Sequence, residues 1–135
     1  FDFFQYLIAN TDWSAAQQHN VKIIQTANKK IPLTYDFDMA GLVNAPYATV
    51  SEALTISSVQ ERLYRGFCRN ESLMQYARSE YLRLEPAIMK VIKDHQALYS
   101  ERDFKGIEKF VGEFFETLKN DKRFKDAVLL GCRTK

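Results

Sequence analysis

The chain has 135 residues, enough for one domain with its own core or for part of a larger one. Its 46% apolar and 13% aromatic content excludes a wholly disordered chain. Its 19 basic and 17 acidic residues nearly cancel at +2, which gives no electrostatic case for nucleic acid. No apolar run approaches the roughly 18–20 residues of a membrane-spanning segment. No signal peptide is visible either. The sequence opens Phe1-Asp2-Phe3-Phe4 without a methionine and reads as cut from a longer precursor.

Residues 1–9 read as a helix that is apolar almost all round, through Phe3, Phe4, Tyr6, Leu7 and Ile8, so burial is expected. Residues 10–18 form a polar loop. Val21, Ile23 and Ile24, then Ile31, Leu33 and Tyr35, suit strands, and 20–26 with 31–37 read as a β-hairpin. If its turn centres between Asn28 and Lys29, Asn20 comes opposite Phe37, beside Asp36 and Asp38. Residues 39–55, with Gly41, Asn44, Pro46 and Ser51, read as a long irregular loop, the kind that tends to carry function.

Helical signals follow. Ser58-Val59-Gln60-Glu61 is a capping-box pattern for a helix that Gly66 would end. Asn70 caps a helix to about Leu84, and Pro86 opens a new one carrying Ile88, Val91, Ile92 and Leu98. Ser100 and Asp103 make a further cap. Beyond it Phe104, Ile107, Phe110, Val111, Phe114, Phe115 and Leu118 recur at helical spacing, the strongest periodicity in the chain. Residues 121–130 fit one more short helix before Gly131. The fold class is therefore mainly α with one small β-hairpin (α+β), with a helical bundle over 57–130. Cys68 and Cys132 are too far apart in sequence for a zinc or redox motif. Two readings stand: a disulfide, favouring an exported or periplasmic protein, or two free thiols.

Little in the chain looks like chemistry outside Asn10-Thr11-Asp12-Trp13, His19-Asn20 and Tyr35-Asp36-Phe37-Asp38. An Asp on a loop, an Asn opening one strand and an Asp closing the next is the order a phosphoryl-transfer site needs. One residue orients the nucleophile and two hold a cation. The hairpin gives a reason for Asn20 and a carboxylate to meet at its open end, into which the Asp12 loop feeds. Hard cations such as magnesium take oxygen ligands of this type.

These segments resemble the catalytic loop, short hairpin and metal-binding segment of the protein-kinase-like fold. The nearest flavour is the atypical kinases of the CotH, HipA and phosphatidylinositol types. The runs 35–47 and 61–66 also look like uncharacterised, exported, CotH-like bacterial proteins. The kinase resemblance covers about residues 1–45, the catalytic-loop and metal-loop region. It implies that residues 1–135 are the C-terminal lobe of a larger protein.

By that resemblance Asp12 is the catalytic aspartate that orients the acceptor hydroxyl. Asn20 and Asp36 are metal ligands, with Asp38 as a further carboxylate. Mg2+ and ATP are the implied cofactors, and an N-terminal lobe is the implied partner. Three departures accompany it. Asp12 to Asn20 spans eight positions where the usual motif spans about five, so residues within 14–18 must bulge out. Asp38 stands where glycine is usual. No glycine-rich loop or strand lysine is present to hold phosphates, so the chain alone is expected to be inactive.

Structural explanations run beside these. Asp12, with Asn10, Thr11 and Ser14, can satisfy loop backbone donors, and Asn20 can cap a strand. Asp36, between Tyr35 and Phe37, is costly unless paired or metal-bound. Asp38 suits a turn. His19 orients the loop through a hydrogen bond, His95 is a helix-face residue, and Trp13 is a packing anchor. Arg62, Arg65 and Arg69 form either a solvated face or a phosphate contact. The alternative to a metal-dependent phosphotransferase is a non-catalytic kinase-like module, or a purely helical binding module.

Overall fold

The first element is the short helix α1 (Asp2–Leu7), whose Phe3, Tyr6 and Leu7 are buried together with Gln5. The computed structural model describes residues 1–134. They form two compact units, Phe1–Leu63 and a second beginning at Tyr64. α1 is shorter than expected, and Phe4 stays 37% exposed. Ala9 ends it in a left-handed conformation, with φ 50°, a position usually given to glycine.

β1 (Val21–Gln25) and β2 (Lys30–Thr34) pair antiparallel as expected. Their register differs from the expected one. Val21 faces Thr34 and Gln25 faces Lys30, so the turn centres between Ala27 and Asn28. Thr26 sets it: its Oγ1 accepts from Lys29 N at 3.1 Å, and its N–H donates to Lys29 O at 2.9 Å. Asn20 consequently lies opposite Tyr35, whose N–H donates to Asn20 O at 3.2 Å. A two-residue slip leaves every side chain on its expected face, because the strand period is two. One face, with Val21 and Ile23, is the more buried. The other exposes Ile24, Ile31 and Leu33.

Residues 39–55 are irregular, as expected. Their start is tied to the end of α1 by Gly41 N to Ala9 O (3.1 Å) and Leu42 N to Ile8 O (3.0 Å). Gly41 is required here, since a Cβ would stand 2.2 Å from Val59 O and 2.9 Å from Ala9 Cβ. The helix expected after Ser58 is absent. Its capping pattern closes one turn only, with Glu61 N donating to Ser58 O and Gln60 N to Ser58 Oγ. The tertiary structure holds these residues elsewhere: Val59 packs over Gly41, and Arg62 donates Nε and Nη2 to Leu7 O at 3.3 and 3.2 Å. Arg62 thus satisfies one of the carbonyls left open at a helix C-terminus.

The second unit is a helical hairpin with a short tail. α2 (Glu71–Asp94) begins at the expected cap, Asn70, whose Oδ1 accepts from Leu73 N at 2.8 Å. It runs straight through Pro86, where a boundary was expected. Pro86 removes the N–H that would reach the carbonyl of residue 82. The proline lies on the exposed side, where water can serve that carbonyl. His95 caps α2, its Nδ1 lying 2.7 Å from Val91 O.

A 3₁₀ turn at Gln96–Leu98 leads to α3 (Glu101–Lys119), capped by Ser100 Oγ accepting from Asp103 N at 3.1 Å. The expected stripe is the core: Phe104, Val111, Phe114, Phe115 and Leu118 are buried. Tyr81 of α2 meets Phe114 edge-on at 5.7 Å. α4 (Asp121–Phe124) and a π turn at Lys125–Leu129 complete the tail as expected. Arg78 locks the corner, donating to Leu118 O and Asp121 Oδ1 with its guanidinium 4.7 Å over the Phe124 ring. Cys68 and Cys132 form a disulfide, which decides between the two readings. Backbone bonds from Cys68 N to Arg133 O and from Arg133 N to Gly66 O, both 2.9 Å, flank it.

Candidate functional site

The loop between α1 and β1 is built from its own side chains. Asn10 Oδ1 accepts from Asp12 N at 3.0 Å, an Asx turn that sets the Asp12 backbone. Trp13 is the expected anchor: it is buried, donates Nε1–H to Asn10 O at 3.0 Å and meets Phe1 edge-on at 4.8 Å. Ser14 and His19 then form a two-way backbone bridge, with both N···O distances 3.0 Å. Residues 15–18 loop out beyond it, and Gln17 N donates to Ser14 Oγ at 3.2 Å. Residues 15–18 therefore form a closed excursion between Asp12 and Asn20.

With that excursion closed, Asp12 and Asn20 touch. Asn20 Nδ2 lies 2.9 Å from Asp12 O and 3.0 Å from Asp12 Oδ2. His19 Nε2 lies 2.9 Å from Asp12 Oδ1. Both carboxylate oxygens are held, one by each of two successive residues. Spending its nitrogen on Asp12 leaves Asn20 with Oδ1 as the oxygen it can offer to a cation.

Asn20 and Asp36 flank the hairpin, and both have left-handed backbones, with φ 52° and 60°. Such residues are uncommon outside glycine and concentrate where function holds a backbone in place. Asp36 is exposed rather than buried, so burial is not its main cost. Its carboxyl is raised above the usual range first by a hydrogen bond with Asp38, then by the charge of Asp38, with smaller contributions from partial desolvation and from Asp12. His19 offsets part of this. The side chain of Asn20 goes to Asp12, and no hydrogen bond joins it to Asp36 or Asp38. Phe37 meets Phe4 of α1 edge-on at 5.9 Å, which anchors the segment between the two carboxylates.

Tyr47 belongs to this cluster and was not singled out from the sequence. Its phenol is raised above its ordinary value first by the charge of Asp38, then by desolvation and a hydrogen bond to Asp38. Its signals in the sequence were its place in a long irregular loop and at the end of the run 35–47. Arg62 is structural, since its guanidinium serves Leu7 O.

The donor set available to a cation is one amide oxygen, on Asn20, and the carboxylates Asp36 and Asp38. All are hard oxygen donors, and the mutual repulsion of the carboxylates is what a divalent cation would relieve, so the set fits magnesium in kind. Among the described residues no group of three or more His, Cys, Asp and Glu side chains is arranged to hold a metal. No helix among them is long and apolar enough to cross a membrane. No protein-family model, curated protein or solved structure matches the chain.

Proposed function

We propose that this chain is the C-terminal lobe of a kinase-like, metal-dependent phosphotransferase, with residues 1–45 as its catalytic-loop and metal-loop region. One observation carries the reading: Asp12 and Asn20 are in direct contact despite their long separation in sequence, because residues 15–18 are looped out behind the Ser14–His19 bridge. The Asp36 segment adjoins them, held by Phe37 on Phe4 and by the Gly41 and Leu42 bonds to the end of α1. In this reading Asp12 accepts the hydrogen of an acceptor hydroxyl and orients its oxygen. That oxygen bonds to the γ-phosphorus of ATP as the bond to the β,γ-bridging oxygen breaks. ADP leaves with the electron pair, and the hydroxyl proton passes to Asp12. Asn20 Oδ1, Asp36 and Asp38 would hold magnesium, which supplies charge neutralisation at the phosphates. The nucleotide's other contacts would come from an N-terminal lobe of the intact protein. The Cys68–Cys132 disulfide supports an oxidising compartment.

A second reading is a non-catalytic kinase-like module, favoured by the effect of Asp38, which raises the Asp36 carboxyl. A carboxyl that binds its proton more tightly sets that proton in competition with a cation. Magnesium–ATP binding by the full-length protein, with Asp36→Ala as control, separates the two. Catalysis predicts binding that weakens at least tenfold in the variant. Equal binding by both, or none by either, leaves the module reading.

A further inference from the structure

We propose that His19 is a positioning residue for Asp12, forming with Asn20 a two-sided clamp on the carboxylate that orients the acceptor hydroxyl. The inference rests on the phosphotransfer reading and adds a residue to it.

A carboxylate gripped at one oxygen can still turn about its Cβ–Cγ bond. Here it is gripped at both: His19 Nε2 is 2.9 Å from Oδ1 and Asn20 Nδ2 is 3.0 Å from Oδ2. The two nitrogens lie 3.5 Å apart, side by side, facing the same group. A carboxylate oxygen accepts, so the imidazole presents Nε2–H to it. Each Asp12 oxygen keeps a second lone pair for the acceptor. The clamp is itself held, because the backbone of His19 is bonded to Ser14 in both directions and the next residue, Asn20, is bonded to Tyr35. The excursion 15–18 thus has a consequence: closing it delivers the imidazole to Asp12. His19 touches no reacting atom in this scheme. It acts through the placement of Asp12, and misplacing a catalytic group by about 1 Å can cost about a hundredfold in rate.

The test uses the full-length protein and basal magnesium-dependent ATP hydrolysis, with water as acceptor. Wild type, His19→Ala and His19→Gln are compared, since the glutamine amide can still donate to Asp12. His19→Ala is expected to lower kcat about tenfold to a hundredfold while KM for ATP stays within about twofold, and His19→Gln to recover most of the loss. Nitrogen-15 spectra of the imidazole should show Nε2 protonated in wild type, with a shift that changes in Asp12→Asn. An active wild type with an equally active His19→Ala overturns the inference alone. So does loss confined to KM, or an imidazole spectrum indifferent to Asp12→Asn. A wild type that neither binds nor hydrolyses magnesium–ATP overturns the phosphotransfer reading and this inference with it.

Discussion

The side-chain nitrogen of Asn20 lies 2.9 Å from the main-chain oxygen of Asp12 and 3.0 Å from its Oδ2. One amide thereby fixes both the backbone and the carboxylate of a residue eight positions earlier. The same Asn20 ends the loop in a left-handed conformation and opens β1.

Asn20→Ala should therefore cost stability twice over. Losing hydrogen bonds to a carboxylate costs about 1.5–3 kcal/mol, and an alanine forced to positive φ adds about 1–2 kcal/mol. Asn20→Gly loses the bonds without the backbone penalty. Urea unfolding should rank wild type above Asn20→Gly and Asn20→Gly above Asn20→Ala. Equal stability of the two variants would show that the left-handed backbone carries no cost.

The Asp36 carboxyl titrates above the ordinary carboxylate range, chiefly because of Asp38. The folded chain then holds this proton more tightly than the unfolded chain does. Between the ordinary and the raised value the native state binds more protons, so this group's contribution to stability falls as pH rises through that window and levels off above it. Asp38→Asn should return Asp36 towards its ordinary value. Carboxyl carbon-13 titrations of the two proteins measure this directly, and an unchanged Asp36 midpoint would contradict the assigned cause.

Gly41→Ala places a methyl 2.2 Å from Val59 O and 2.9 Å from Gln60 Cα. Backbone has to move, so the cost should reach about 3 kcal/mol or more. The junction between the end of α1 and residues 58–60 should loosen first. Hydrogen exchange at the Gly41 and Leu42 amides, which are bonded to Ala9 O and Ile8 O, should accelerate before that of α3.

Reducing Cys68–Cys132 opens a loop with a sequence separation of 64 residues. On the chain-entropy account this removes roughly 4 kcal/mol. Cys68 is exposed, so reductant can reach the bond. Thermal melts with and without dithiothreitol should differ by many degrees, and a Cys68→Ser, Cys132→Ser double variant should melt with the reduced protein. Coincident melts would show that the tail is held by other contacts.

Pro86 sits inside a continuous helix on its exposed side. Pro86→Ala restores a donor to the carbonyl of residue 82 and relieves the ring clash, so α2 should gain about 1–3 kcal/mol. A lower melting temperature in the variant would mean that the proline serves packing.

Local patterns were legible where a segment's own residues decide its structure. Asn70 and Ser100 cap the helices they were expected to cap, and the Phe104–Leu118 stripe is the core of the second unit. The kinase resemblance implied a bulge within residues 14–18, and residues 15–18 loop out beyond the Ser14–His19 bridge. Ser58–Glu61 carries an equally good capping pattern and forms no helix. Its neighbours are claimed by Gly41 and by the carbonyl of Leu7, which no local rule sees. Pro86 misled in the other direction, because a proline on a solvated face is cheap enough for a long helix to absorb.

The order Asp12, Asn20, Asp36, Asp38 and the mainly helical class with one hairpin were determined by sequence, since residue type and periodicity are local properties. The tertiary structure decided the partners. It moved the hairpin register by two residues through the Thr26–Lys29 turn, and so set Asn20 against Tyr35. It turned the amide of Asn20 to Asp12 and set Asp38 close enough to raise the Asp36 carboxyl. It also gave His19 its partner, Asp12, and brought in Tyr47. A hydrogen bond depends on direction as well as separation, and direction is fixed only when backbone conformation, loop closure and packing are set together.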